Sequence, residues 1–335
     1  AGTILSGVGV ADALMQPAKT YLQIVGGFCI LNALIPICSS YLRAFGFSKE
    51  PLYASIIGNV INFCLNAFFL FVLHKGVAGV ATATVISRII NLVIVVLLGA
   101  VLVKAKQHPE RESNRAVMGQ IIRIGLPSAC ETAIYNVSMT LVIRFLNQMD
   151  AQGLNVTARS YTMQITNFSY CVGAALAQAN AIMTGWHIGA KEYDACDRGT
   201  KKAAVIGVIV AVILETVFTL CSGWIMQLFS KDPQMVSLVG KLLAIDIVLE
   251  IGRVTNLVYG QALKTSGDAV FPVVMGACFM ILCSVGGTYL FGIRLGLLAV
   301  GAYIGMTGDE CVRAVGMYLR WKSGKWKEKG LVKSR

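Results

Sequence analysis

The chain is poor in charge. Asp, Glu, Lys and Arg make up 14% of its 335 residues, against about 25% in soluble globular domains. Hydrophobic residues make up 56%. Apolar runs of 20 residues or more with few charges identify an integral membrane protein whose spanning elements are helices. The short alternating segments of a transmembrane β-barrel are missing from the sequence. Histidine is also scarce. His74, His108 and His187 all sit near segment ends, which argues against His-based metal chemistry. All ten cysteines except Cys196 lie inside apolar segments and none forms a CxxC pair. They are expected to act as small buried hydrophobes, not as a disulfide framework or zinc site. No Walker motif, HExxH or GxSxG occurs, so neither ATP-driven transport nor intramembrane proteolysis has support. The chain is not expected to be an enzyme or to carry a cofactor. The net charge of +12 does not imply nucleic acid, because the basic residues collect at segment ends.

What is present is a series of nine expected spans, at about 20–42, 52–73, 78–103, 119–147, 155–185, 202–229, 235–262, 270–292 and 297–319. Residues 1–15 resemble the tail of an earlier span. Most of the 29 Lys and Arg lie in the loops after the first, third, fifth and seventh spans and in the C-terminal tail. Basic loops stay on the cytoplasmic side, so a multi-pass cell-membrane protein with a cytoplasmic C-terminus is expected. Its partners would be the lipid bilayer, small organic substrates and a coupling cation, with the protein a monomer.

Two stretches 221 positions apart spell the same pattern. Leu42-Arg43-Ala44-Phe45-Gly46 is followed by Pro51, and Leu263-Lys264-Thr265-Ser266-Gly267 by Pro272. Six spans fit in one period. An even number of crossings returns the second copy in the same orientation, the signature of a parallel-repeat transporter. Extrapolating the period predicts that roughly 100 residues, about three helices, precede this sequence in a twelve-helix parent. The expected organisation is an all-α membrane bundle with an incomplete first lobe. Residues 1–103 would be the remnant of an N-terminal lobe, 104–118 a cytoplasmic linker, 119–320 a complete six-helix C-terminal lobe, and 321–335 a basic cytoplasmic tail.

Carboxylates near the bilayer centre cost several kcal/mol, so each is a functional candidate. Residues about 10–15 positions into a span lie near the midplane. Glu131, Glu215, Glu250, Asp309 and Glu310 meet that test, whereas Asp246 falls nearer the outer leaflet. Glu131 follows Pro127, which removes a backbone donor and can free carbonyls beside the acid. Glu250 and Arg253 are three apart on one face and can pair, and Asn256 extends that face. Glu310 and Arg313 repeat the spacing, with Asp309 beside them, on a helix that carries Gly301 and Gly305 as a close-packing GxxxG. Glu215 stands isolated on a very apolar helix. Arg144 and Arg159, near outer ends of consecutive helices, are expected to snorkel to the surface. Tyr161, Gln164, Asn167, Gln178 and Asn180, with Asn136 and Asn256, are expected to line a water-filled cavity. Interhelical hydrogen bonding alone would explain most of these residues. No metal is expected beyond Na⁺ at Glu131 or Glu250, should Na⁺ be the coupling ion.

In order and spacing these residues resemble the multidrug and toxic compound extrusion (MATE) family of cation-coupled antiporters. The likeness rests on Leu42 to Gly46 with Lys49 and Pro51, Gly76 to Arg88, Gly125-Leu126-Pro127 with Glu131, Ala174 to Ala179 with Gly189-Ala190-Lys191, Glu250 to Arg253, and Asp309 to Arg313 with Arg320 to Trp326. The resemblance implies a pair of six-helix lobes that export organic, cationic or amphipathic compounds against entering Na⁺ or H⁺. It implies coupling by acids on the seventh and tenth family spans, where Glu131, Glu250 and Arg253 fall. A lipid-linked oligosaccharide flippase of the same superfamily is the nearest rival. It would need a strongly cationic cavity, and the central charges here read as mostly acidic. A non-transporting receptor or scaffold would have no reason to keep midplane acids.

Overall fold

A computed structural model describes residues 12–104, 114–149 and 153–329. Most of the expected linker, the start of the chain and the last six residues of the tail lie outside the described residues. The chain divides into two compact units, residues 1–111 and 112–335.

The first unit contains α1 (Asp12–Gly27), α2 (Ile30–Ala44), α3 (Lys49–Ala67) and α4 (Gly76–Lys104). The second contains α5 (Asn114–Met149), α6 (Leu154–Gly189), α7 (Tyr193–Leu220), the short α8 (Ser222–Met226), α9 (Pro233–Thr265), α10 (Val270–Phe279) and α11 (Leu298–Lys322). No strand occurs among the described residues. All nine expected spans fall on helices, with three differences. The first is broken at Phe28-Cys29 into α1 and α2, bent by 42°. The sixth stops at Leu220, and α8 follows it as a separate turn. The third difference is a widening into π-helix, in α3 over Phe68–Val72 and in α10 over Met280–Val285 and Thr288–Arg294.

Among the described residues, four helices are long and apolar enough to cross a membrane by length and composition alone, or five if α1 and α2 form one span. The long helices α5, α6, α9 and α11 fall short of that standard. Large apolar side chains remain exposed on the outside of the helices, among them Phe63, Phe71, Val101, Leu220 and Trp224. Such a surface suits hydrocarbon, not water.

The repeated word in the sequence is a helix stop. In the first copy Gly46 N–H bonds to Arg43 O (2.9 Å) and Phe47 N–H to Leu42 O (3.0 Å). In the second, Gly267 N–H bonds to Lys264 O (3.1 Å) and Asp268 N–H to Leu263 O (2.9 Å). Both are Schellman motifs, which satisfy the last carbonyls of a helix and require a left-handed residue. The glycines supply it, at φ +90° and +94°, where a side chain would be strained. Leu42 and Leu263 are each fully buried. The likeness continues past the proline. Lys75 N–H bonds to Phe69 O (3.0 Å) and Leu297 N–H to Phe291 O (3.1 Å), closing both π segments in the same way.

In the second unit α9 is the central helix. Its apolar positions face both cores, one with Val142, Leu146, Ile165 and Tyr303, the other with Ala204, Ala211, Met317 and Trp321. Gly252 sets how closely α9 meets α11. A β-carbon there would fall 2.9 Å from Cys311 N and Glu310 C. Its absence brings Glu250 and Arg253 against Glu310.

Candidate functional site: a charged cavity in the second unit

Two adjoining cavities, about 240 and 390 Å³, open between α5, α6, α9, α10 and α11. Tyr135, Tyr170, Arg253 and Glu310 line both. The helices too polar to pass as spans on composition supply most of the walls. On α6 the cavity face is Arg159, Met163, Thr166, Asn167 and Tyr170, a spacing of three and four that makes one helical stripe.

Arg253 pairs with Glu250, and its Nε lies 3.8 Å from Glu310 Oε1. Glu310 also accepts from Asn256 Nδ2 (3.0 Å) and pairs with Arg313 (2.9 Å). Arg313 reaches back one turn to hold Asp309 with two bonds, 2.8 and 2.9 Å, and Ser284 donates to the same carboxylate (3.0 Å). The expected pairs Glu250–Arg253 and Glu310–Arg313 therefore exist, joined through Glu310 into one network across α9 and α11.

Glu131 lines the second cavity but is not alone there. Lys264 Nζ sits 2.6 Å from its carboxylate. The sequence offered Lys264 only as a member of the repeat. Its partner is 133 residues away, and no local pattern could have paired them.

Glu250 has a second set of neighbours. Its carboxylate, Glu215 on α7 and Asp246 on α9 each present an oxygen within 4.8 Å of the others. All three are buried. Among the described residues, both oxygens of Glu215, Oδ2 of Asp246 and Oε2 of Glu250 have no hydrogen-bond partner. Glu215 is thus not isolated, and Asp246 groups with the central acids. Asp246 and Glu250 are four apart on one face of α9, which the sequence did show. The approach of α7 is a matter of packing.

Several expectations are corrected. Of the proposed amide lining, Asn136, Asn167 and Asn256 face these cavities. Tyr161 instead packs on Phe229 at 5.3 Å between ring centres, Asn180 is buried and donates to Thr200 Oγ1 (3.3 Å), and Gln164 and Gln178 are exposed away from them. At about 100° per residue Asn167 lies at the edge of the cavity stripe, Gln164 and Tyr161 lie about 60° and 120° further around α6, Asn180 lies on the other side, and Gln178, though close to Asn167 in angle, is three turns further along the helix. Arg159 does not snorkel. It is 6% exposed and lines the first cavity. The lining is not mostly acidic, since Arg159, Arg253, Lys264 and Arg313 stand against Glu131, Asp246, Asp309 and Glu310.

At the far end of α11 the tail folds onto the unit. Residues Lys325–Lys329 form a 3-10 turn. Trp326 is buried, stacks on Trp321 at 4.2 Å, and donates to its carbonyl (2.9 Å). Asp268, in the loop after the second Schellman turn, receives Arg320 Nε (2.6 Å) and Lys329 Nζ (2.8 Å). Burial alone would raise its pKa, but these two cations outweigh burial and hold the carboxyl below the ordinary value.

Long helices with apolar outer faces thus enclose a charged, partly open cavity, an arrangement found in membrane transporters. The chain belongs to the MatE family, whose model matches residues 1–68 and 127–290. It is similar to the uncharacterized transporter YisQ of Bacillus subtilis, with 34% identity over 98% of this chain and 73% of that protein. A probable multidrug resistance protein NorM of Thermotoga maritima is 22% identical over 94% of this chain and 68% of its own length. Among solved structures, a MOP superfamily transporter from Pyrococcus furiosus, described as having a binding pocket of reversed polarity, superposes with a TM-score of 0.87 at 18% identity. That match covers 97% of this chain and 74% of the other. The protein is therefore an all-α, multi-pass membrane protein of a family of multidrug and toxin extrusion transporters.

Proposed function

We propose that the protein is a cation-coupled antiporter that exports amphipathic organic compounds through the cavity of its second unit, with Na⁺ or H⁺ as the driving ion and the basic tail on the cytoplasmic side. The observation that carries this reading is the cluster of Glu215, Asp246 and Glu250. Three buried carboxylates share a space of about 5 Å with one guanidinium, Arg253. Like charges at that distance repel by about 3–4 kcal/mol per pair at an effective dielectric near 20. Their charge is balanced only when a proton or cation joins them. A site that must be filled, and that borders the substrate cavity through Asp246 and Arg253, can tie cation entry to substrate release. Coupling then follows from different cation affinity in the two transport states. Glu131, held by Lys264, is in this reading a wall of the substrate cavity more than a cation ligand.

The test is efflux from proteoliposomes with Na⁺ and pH gradients imposed separately. One of the two gradients should drive export, and Glu215→Gln or Glu250→Gln should abolish that drive while leaving substrate binding intact. Gradient-driven export that survives both substitutions would refute the assignment.

A further inference from the structure

The mechanism proposed above leaves one buried charge unused. Arg159 sits on the cavity face of α6 with its side chain more than nine-tenths buried. Its only hydrogen-bond contact among the described residues is a weak one from a terminal nitrogen to Met139 Sδ, at 3.8 Å. Among the described residues its Nε has no partner, and no carboxylate lies within ion-pair distance of it. Every other basic residue on the cavity walls is neutralised. Arg253 holds Glu250, Lys264 holds Glu131, and Arg313 holds Asp309 and Glu310. Guanidinium is always charged and presents five donors in a fork that fits a carboxylate. Leaving it buried and unpaired is costly unless something arrives to pair with it.

The walls around Arg159 describe the rest of that partner. Met139, Met163, Leu249, Tyr303 and Met306 give an apolar, adaptable surface. Methionine side chains repack easily around varied shapes. Thr166 and Asn167 lie two turns along the same stripe of α6. Asp246, across the cavity on α9, faces the carboxylate cluster and makes no pair with Arg159.

We infer that Arg159 is a substrate-binding residue that receives the carboxylate of an organic anion or zwitterion, whose apolar body lies along the methionine and tyrosine wall. This rests on the reading of the cavity as the substrate site, and it makes the preferred substrate one with a negative group, not a simple organic cation. The cation at the Glu215–Asp246–Glu250 cluster and the substrate carboxylate at Arg159 would then occupy opposite sides of one cavity.

The probe is dansylglycine, compared with its neutral amide, titrated by fluorescence against the full chain in phosphatidylcholine nanodiscs with no ion gradient. The wild type should bind the acid about tenfold or more tightly than the amide, since a hydrogen-bonded ion pair to a charged group is worth at least that factor. Arg159→Gln should bring the acid to the level of the amide and leave the amide unchanged, and Arg159→Lys should keep part of the preference. Equal binding of acid and amide by the wild type overturns the inference. So does an Arg159→Gln or Arg159→Lys variant that weakens both probes alike, which would mark a structural residue. Binding is read without a gradient, so failure of cation-driven export leaves this result untouched, and the reverse also holds.

Discussion

Replacing Arg253 by methionine removes the cation that pairs with Glu250, and its cost can be worked from the structure. Glu250 is fully buried, and one of its oxygens already lacks a partner. Without Arg253 the other oxygen loses its bond, while Glu215 and Asp246 remain within 4.8 Å. Breaking a buried ion pair from one side costs about 3–5 kcal/mol, because the remaining charge is stranded. Glu310 suffers less, since it keeps Arg313 and Asn256. The cost should therefore depend on Glu250. In a Glu250→Gln background the same Arg253→Met change should cost only about 1 kcal/mol, the price of residual contacts. At about 2–4 °C per kcal/mol for a large domain, Arg253→Met should lower the unfolding midpoint by about 10 °C in the wild type and far less in the Glu250→Gln protein. Intrinsic tryptophan fluorescence of purified protein in detergent reports both midpoints. Equal drops in the two backgrounds would show that Arg253 does not balance Glu250, and the network drawn here would be wrong.

Two further predictions concern packing and the tail. A β-carbon at Gly301 would collide with the backbone of Phe291 and Gly292, whereas one at Gly308 meets nothing within 4 Å. Gly301→Ala should thus cost about 1–3 kcal/mol by overpacking, and Gly308→Ala, seven residues along the same helix, should gain about 0.5–1 kcal/mol of helix stability; thermal midpoints of opposite sign check this. Asp268 has a folded-state pKa depressed by Arg320 and Lys329. Its stabilisation is present above the unfolded value near 3.9 and disappears as pH falls through the lower folded value. The docked tail, followed by hydrogen exchange of the Trp326 indole, should open on acidification below about pH 4 in the wild type. In Asp268→Asn it should already be loosened at neutral pH, and identical exchange profiles would exclude the role of Asp268.

Much of the fold was legible because the bilayer restricts the choices. Once a segment is apolar and long enough, helix is the only spanning answer, and each expected span lies on one. The repeated Leu-basic-x-x-Gly word was legible for a local reason as well, since a Schellman turn is written in five consecutive residues and needs its glycine. Pairs three or four apart on one helix, Glu250 with Arg253 and Glu310 with Arg313, were legible because helical geometry dictates them.

The remainder of the site depends on which helix faces which, and that is not a local property. Lys264 belongs to the repeat by its sequence and to Glu131 by its packing. Its counterpart at the first turn is Arg43, and the backbone of the turn is the same in both copies. Arg159 shows the same limit from the other side. Position near a helix end licensed snorkelling, because a long basic side chain usually finds water there. Whether it turns outward or inward depends on the neighbouring faces, and here α6 presents Arg159 on the same stripe as Met163, Thr166 and Asn167, which face the cavity between α5, α9 and α11. Glu215 reads as isolated in the sequence because its own helix, α7, is so apolar around it. It matters because α9 brings Asp246 and Glu250 to it. In each case an isolated charge on an apolar helix was the visible signal, and its proper reading was that a partner of the right sign or chemistry must lie across a helix interface. Where the structure supplies that partner, as Lys264 does for Glu131, the charge is spoken for. Where the described residues do not, as at Arg159 and at Glu215, the missing partner is what we propose the protein binds.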